Sequence, residues 1–193
     1  MITINGIEIP TQIDDFNIGQ FETATKILND EKVTYVERYI NLLEALKLPN
    51  DFIDSLTDDE LFEIIKSFQE KSVDVPLGLK RTIEIDGYTY AAYEEEGEFN
   101  LKAKDLSLIE KAFSDKGSYF SSVLSVVFKR EDLRTIEHYT PAHLKHKTTL
   151  FKELPALEFY QYIVWITKKL SDKIKNLNVN TEAPTEQLES NNN

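Results

Sequence analysis

The sequence predicts an α+β fold that is predominantly α-helical and consists of two diverged repeats, each a short β-hairpin followed by about three helices. Three observations support this prediction: two hairpin turns of the same kind, helical apolar stripes after each turn, and matched blocks of residues in the same order. The expected organisation is repeat one at 1–74, a linker at 75–81, repeat two at 82–178 and a polar tail at 179–193.

The hairpins are predicted by turn chemistry. Asn5-Gly6 interrupts an alternation of isoleucines, and Asp86-Gly87 recurs between alternating apolar residues 81 positions later. Asn or Asp followed by Gly favours a two-residue hairpin turn, because both positions accept positive φ. Each repeat is therefore expected to open with a hairpin.

Capping signals and apolar stripes predict two helices after each hairpin. Asn17 and Gln20 have the spacing of a capping box, and so do Thr34 and Glu37 in the next helix, which Pro49 ends. The apolar positions of both helices recur 85 residues later. A constant offset over two helices favours internal duplication over chance alignment.

A third helix is predicted to complete each unit. It begins at Thr57, with Glu60 in capping-box spacing, and in the second copy at Pro155, which we expect at the first helical position. Here the offset between the copies has grown from 85 to 98 residues. The difference places an inserted segment of the second repeat near 129–149.

Composition excludes several functional classes. With 41% hydrophobic and 11% aromatic residues the chain can build a core, and a net charge of −12 disfavours nucleic acid and anionic membranes as partners. A basic protein partner is compatible with this charge. The chain has no Cys, so thiolate chemistry and disulfides are excluded.

Targeting signals are also not expected. The first ten residues lack a basic and apolar leader pattern, and the most apolar stretch, 159–166, is far shorter than the ~20 residues of a membrane span. The predicted location is the cytosol or the interior of something assembled there.

The histidines are the candidate ligands for a metal site. The chain contains three of them: His138, His143 and His146. The last two would share a helical face, with Glu137 or Glu153 as a further ligand. The spacings differ from that of a usual ligand pair, and Lys145 and Lys147 lie among them. We favour a solvated, Lys-rich connector and predict no metal.

Catalytic residues and cofactors are not predicted. Carboxylates cluster at Asp14-Asp15, at Asp58 to Glu60 and at Glu94 to Glu96. Such clusters can do acid–base work or bind Ca²⁺. However, Asp58 to Glu60 lie in a first helical turn, where the macrodipole favours acids, and Glu94 to Glu96 lie in a turn with Gly97, so we interpret the clusters as structural. Four serines look like packing or capping residues: Ser118, Ser121, Ser122 and Ser125. There is no Gly-rich phosphate loop and no evident Ser, His and acid set.

The segment 154–177 is the strongest candidate for partner binding. Its first half is apolar nearly all round, so it is either central in the core or covered by a partner. The spacing of Phe159, Ile163 and Ile166 predicts a core-facing stripe. The residues predicted to contact another subunit or an assembly partner are Tyr160, Val164 and Tyr162.

The hairpins, the Phe16-Asn17-Ile18 triplet and the late helix together resemble small proteins encoded among tailed-bacteriophage morphogenesis genes, which are tail-assembly-chaperone-like or virion-associated. The resemblance rests on the helix start Ile18-Gly19-Gln20-Phe21 and on Leu154-Pro155 leading to Phe159-Tyr160. The second copy departs from it, with Lys102-Ala103-Lys104 in place of Gly-Gln-Phe.

This resemblance implies a binding role in virion assembly with no catalytic residues. The partners would be other phage structural or assembly proteins, with self-association as a further option. The location would be the host cytoplasm, or a place inside or attached to the virion. The alternative is a cellular acidic adaptor or inhibitor that binds a basic partner, and an enzyme with a composite helical site is the third class.

Overall fold

The computed structural model describes residues 1–69, 81–92, 94–95, 98–99, 101–114, 119–133 and 140–160, together with 162, 164, 166 and 168. The fold is α+β and predominantly α-helical, as the sequence predicts. The predicted linker, apart from its last residue, and the predicted polar tail lie outside the described residues. Within the described residues no helix is both long and apolar enough to cross a membrane.

The first half of the chain is a hairpin followed by helices. Its elements are β1 (Ile2–Ile4), β2 (Ile7–Ile9), a 3-10 turn (Ile13–Asp15), α1 (Ile18–Leu28), α2 (Tyr35–Ala45), α3 (Asn50–Ser55) and α4 (Asp58–Gln69). The short helix α3 is one more than predicted. Pro49, expected only to end α2, occupies the N-cap position of α3.

The second half begins with a second hairpin. Its elements are β3 (Thr82–Ile85), β4 (Tyr88–Ala92), β5 (Glu94–Glu95), β6 (Glu98–Phe99), α5 (Ala103–Ser114), α6 (Tyr119–Val127), β7 (Phe128–Arg130), a 3-10 turn (Glu131–Leu133) and α7 (Pro141–Lys152). A C-terminal helix follows at 156–160 and continues through the described residues 162, 164, 166 and 168. Pro155 therefore precedes the helix instead of being its first residue.

The inserted segment is structured where it is described, which corrects the prediction of a solvated connector. Strand β7 pairs antiparallel with β4, and the sheet order is β3-β4-β7. Helix α7 follows, and its Lys147 is buried with its ammonium nitrogen 5.3 Å from the centroid of the Tyr90 ring. Phe151, one turn later, is also fully buried. One face of α7 thus belongs to the core.

Both hairpin turns have the predicted left-handed geometry. Asn5 and Gly6 have φ values of 50° and 78°, and Asp86 and Gly87 have 52° and 76°. These angles are those of a two-residue turn whose twist matches the flanking strands.

The predicted capping box at α1 is confirmed, and a related contact recurs in the second half. The Gln20 side chain accepts a 3.0 Å hydrogen bond from the Asn17 N–H, and Asn17 caps the Gln20 N–H in return. The Asp105 carboxylate accepts a 3.0 Å hydrogen bond from the Lys102 N–H, at positions 85 residues later. This common cap supports the duplication, which stays a prediction.

The apolar core has two parts. The smaller one lies in the first half and contains Ile4, Ile9, Leu43, Phe52 and Ile64. The larger one is built mainly from the second half, with residues that include Val123, Leu124, Val127, Phe128, Phe151, Phe159, Tyr162 and Ile166. The burial of Phe159 and Ile166 confirms two positions of the predicted stripe, while Ile163 lies outside the described residues.

A short backbone bridge joins the starts of two helices from opposite halves. The Ile18 N–H donates a 2.8 Å hydrogen bond to the Leu154 carbonyl, and the Ala156 N–H donates a 2.9 Å bond to the Phe16 carbonyl. Phe16 and Ile18 are buried in the larger core. The start of α1 is thereby built into the second half of the molecule.

Candidate functional site

The structure corrects the predicted partner-binding face of the C-terminal helix. Tyr162 is 0% exposed, and its ring centroid lies 5.1 Å from that of Phe128. Its side chain is part of the core because β7 and the C-terminal helix pack together. Tyr162 therefore cannot contact a partner from the surface of this fold.

The other two residues predicted on that face, Tyr160 and Val164, differ in how exposed their side chains are. Tyr160 is half-buried and its ring meets Phe21 of α1 edge-on, with centroids 5.9 Å apart. Val164 is 52% exposed. Tyr160 thus has an internal packing role that the sequence did not reveal, and Val164 alone of the three presents most of its side chain to solvent.

A larger feature lies between α5 and α7. Both helices pack against α6, which leaves between them an open groove of about 890 Å³. The described residues that line it are Lys104, Leu108, Lys111, Ala112, Ser114, Ser122, Thr140, Pro141, Leu144, Lys145, Thr148, Thr149 and Lys152. We refer to this feature as the lysine groove.

The charge of the lysine groove is opposite to that of the protein. Four of its described lining residues are lysines and none is acidic, on a chain with a net charge of −12. Lys104, Lys111 and Lys145 are exposed, and Lys152 lies 4.0 Å from the Glu22 carboxylate. A local cluster of one sign attracts groups of the other sign despite the net charge.

The walls of the groove also offer apolar surface. Leu108 and Ala112 on α5 and Leu144 on α7 are half-buried and project into it beside the lysines. The helical spacing of Lys104, Leu108 and Lys111 places them on one face of α5. Each wall therefore combines apolar side chains with ammonium groups.

Helix α5 is anchored by a buried ion pair. The Lys129 ammonium on β7 lies 2.8 Å from the carboxylate of Asp105, and both side chains are buried. Ile109, one turn after Asp105, is also buried. The position of this wall is thus tied to the sheet.

Helix α7 is fixed by its cap and by packing. The Thr140 hydroxyl accepts a 3.1 Å hydrogen bond from the His143 N–H, and Pro141 occupies the first turn. Thr148 shares a 3.1 Å hydrogen bond with Ser125 of α6. The second wall is therefore held to the same central helix as the first.

A buried carboxylate lies beneath one end of the groove. Glu22 of α1 is 3% exposed and accepts hydrogen bonds of 2.7 Å and 2.9 Å from the N–H and hydroxyl of Ser121. Burial raises the pKa of Glu22 above its ordinary value, although the Ser121 hydrogen bonds and the Lys152 charge oppose this rise. The predicted packing or capping role of Ser121 is confirmed by these contacts.

The histidines do not form a metal centre in the described part of the chain. His143 is half-buried, His146 is exposed, and His138 and Glu137 lie outside the described residues. Among described residues no group of three or more His, Cys, Asp or Glu could hold a metal ion. Glu153 instead accepts a 3.4 Å hydrogen bond from the Asn17 amide.

Two of the three carboxylate clusters have the structural role that the sequence predicts. Asp15 accepts 2.9 Å hydrogen bonds from the N–H groups of Thr11 and Gln12. Glu60 accepts a 2.8 Å hydrogen bond from the Thr57 N–H at the start of α4. The side chains of the third cluster, 94–96, lie outside those described.

Comparisons of the chain with protein-family models, with curated proteins and with solved structures find no significant match. The lysine groove is therefore identified as the candidate site by its geometry and its charge. The sequence did contain a signal for the groove, namely lysines and leucines at helical spacing in 104–111 and 144–152. Because these segments are about forty residues apart, their proximity becomes visible only in the fold.

Proposed function

We propose that this protein is a non-enzymatic protein–protein interaction protein, and that the lysine groove binds an acidic amphipathic helix of a partner. The observation that carries the proposal is a groove with four lysines on a chain of net charge −12. Helices commonly bind in grooves by placing apolar side chains on the floor and charged ones at the rim. The half-buried Leu108 and Leu144 would meet the apolar face of such a helix.

The partner class follows from the resemblance to tailed-phage morphogenesis proteins. It would be another structural or assembly protein of the particle, and the protein would act in the host cytoplasm or within the virion. The groove supports a binding role of this kind because its two walls are fixed by packing on α6, so that little ordering is needed when a partner binds.

The alternative is a cellular acidic adaptor or inhibitor that binds a basic partner. Its support is the net charge and the exposed acids on α4, which include Asp58, Asp59 and Glu63. A basic partner would be repelled by the lysine groove and would have to bind elsewhere. The sign of the groove therefore favours the first function at this site.

A binding titration with a synthetic peptide tests the proposal. The probe is a labelled helical peptide with leucines on one face and glutamates on the other, and the competitor peptide carries lysines in place of the glutamates. We expect the acidic peptide alone to bind wild-type protein, with an affinity that falls as salt screens the charges.

A charge-matched pair of variants locates the binding. Lys104→Glu/Lys145→Glu should weaken binding of the acidic peptide about tenfold or more, since two contacts become repulsive. Lys26→Glu/Lys32→Glu changes the net charge equally at exposed positions outside the groove and should bind like wild type. Equal affinities of the two variants, or preference for the basic peptide, would refute the proposal.

A further inference from the structure

The most exposed aromatic side chain among the described residues is on α4. Phe62 is 61% exposed, in the middle of a helix whose opposite face buries Ile64 and Ile65. A large apolar side chain in such a position often marks a binding surface when polar residues surround it. Here the surroundings are acidic.

Exposed acidic residues flank Phe62 in the sequence. Asp58, Asp59 and Glu63 are exposed on α4, and Asp54, four residues before Asp58, is exposed on the preceding helix α3. We refer to Phe62 with these four carboxylates as the acidic knob. Lys66, the next turn along, is also exposed. The knob therefore has one aromatic side chain, with three carboxylates before it in the chain and one directly after it.

The acidic knob and the lysine groove have opposite charges, and both also present apolar side chains. The knob presents four carboxylates around one exposed ring, and the groove presents four lysines around half-buried leucines. The ligand proposed for the groove is an acidic helix with apolar side chains on one face, and the knob offers acidic side chains around one apolar ring. The chain itself carries such a helix.

The two surfaces cannot meet within one molecule. Ile64 and Ile65 hold α4 in the first half of the structure, and no residue of α4 is among the described residues that line the groove. A knob that binds a groove must therefore come from another copy. We propose that the acidic knob of one copy docks in the lysine groove of a second copy, an inference that rests on the proposed function of the groove.

This contact is heterologous, because a different surface is used on each copy. After one contact forms, the first copy still has a free groove and the second still has a free knob. Such an interface continues into a ring if the rotation closes and into a filament if it does not. The expected product is a series of oligomers larger than a dimer.

Sedimentation velocity of the full chain over a range of concentrations tests the inference. We expect wild type to associate with rising concentration and to dissociate when salt is raised. Phe62→Ser and Lys104→Glu/Lys145→Glu should each weaken association about tenfold or more, as expected for loss of an anchor or of charge complementarity. Val36→Ser on α2, which also removes an exposed apolar side chain, is the control and should associate like wild type.

Mixing the two impaired variants tests directly whether the knob of one copy binds the groove of another. Phe62→Ser retains an intact groove and the groove variant retains an intact knob, so together they should form a heterodimer that does not grow further. Thermal unfolding confirms that each variant is folded, which is expected because the altered side chains are exposed. Loss of association in Val36→Ser and not in Phe62→Ser would overturn the proposal.

The failure of this inference can be separated from the failure of the proposed function. A wild-type protein that stays monomeric at all concentrations yet binds the acidic peptide has a functional groove and no self-association through the knob. A protein that associates but is unaffected by either variant uses another interface. Absence of both peptide binding and association would refute the groove as a binding site.

Discussion

The carboxylate of Glu22 in α1 caps the first turn of α6 by accepting hydrogen bonds from the N–H and the hydroxyl of Ser121, 99 residues later in the chain. An anion at a helix N-terminus is favoured by the unsatisfied N–H groups and the macrodipole. Burial opposes ionisation of the same group and raises its pKa. The contact between the two halves is therefore sensitive to protonation.

Glu22→Gln should change the pH dependence of stability. Because the folded-state pKa is raised above 4.5, the stability contributed by Glu22 is fully present below that pH and is lost as pH rises through the folded value. Gln keeps an acceptor for Ser121 but does not ionise. Relative to wild type, the variant should gain free energy of unfolding over the pH interval above about 4.5 in which the folded-state carboxyl ionises.

Urea denaturation of both proteins across this interval measures the difference. Glu110→Gln, at an exposed position of α5, serves as the control for removal of one carboxylate. A difference between Glu22→Gln and wild type that does not vary with pH would show that folding leaves the pKa of Glu22 unchanged.

The buried pair of Asp105 and Lys129 predicts a strongly non-additive pair of substitutions. Lys129→Met leaves the Asp105 carboxylate buried without its ammonium partner, and we expect a loss of about 3–5 kcal/mol in the free energy of unfolding. Adding Asp105→Asn should recover most of this loss, because the amide needs no counter-charge and still accepts from Lys102 N–H. Chemical denaturation of the single and double variants gives the coupling energy.

The two hairpin turns should be equally sensitive to loss of glycine. A Cβ added at Gly6 or Gly87 meets no atom within 4 Å, so Ala would be disfavoured by positive φ alone. Gly6→Ala and Gly87→Ala should each cost about 1–2 kcal/mol of unfolding free energy. Thermal or urea unfolding measures both, and markedly unequal losses would argue against equivalent turns in the two halves.

The C-terminal helix should respond differently to loss of its two neighbouring apolar side chains. Tyr160→Ser removes a ring that packs on Phe21, so we expect destabilisation of about 1–3 kcal/mol. Val164→Ser, at an exposed position, should stay within about 0.5 kcal/mol of wild type. Equal stability of the two variants would show that the contact between Tyr160 and Phe21 contributes nothing.

Local chemistry allowed much of the fold to be predicted. The turn at Asn5-Gly6 and the cap formed by Asn17 and Gln20 depend on residues that are neighbours in the chain, and both are confirmed. The duplication of these signals also predicted the order of hairpin and helices. Turns and helix caps are determined by residues close together in the sequence, so they can be predicted without knowledge of distant contacts.

The elements that were missed depend on distant contacts. The strand at Phe128 to Arg130 was not predicted, because it forms by pairing with β4 and this pairing is long-range. Lys147 was interpreted as solvated because lysine is seldom buried, yet α7 packs it near Tyr90. The lysine groove escaped prediction for the same reason, since its two walls come from separate segments.

The backbone bridge between Phe16–Ile18 and Leu154–Ala156 bears on how the protein is made. When the first half leaves the ribosome, the segment 154–156, whose Leu154 carbonyl accepts the Ile18 hydrogen bond, has not yet been synthesised. At ordinary rates of translation the delay is on the order of ten seconds. During that time Phe16, Ile18 and Phe21 lack the core in which they are later buried, so the nascent chain exposes an apolar, aggregation-prone segment until the helix that begins at residue 156 is synthesised.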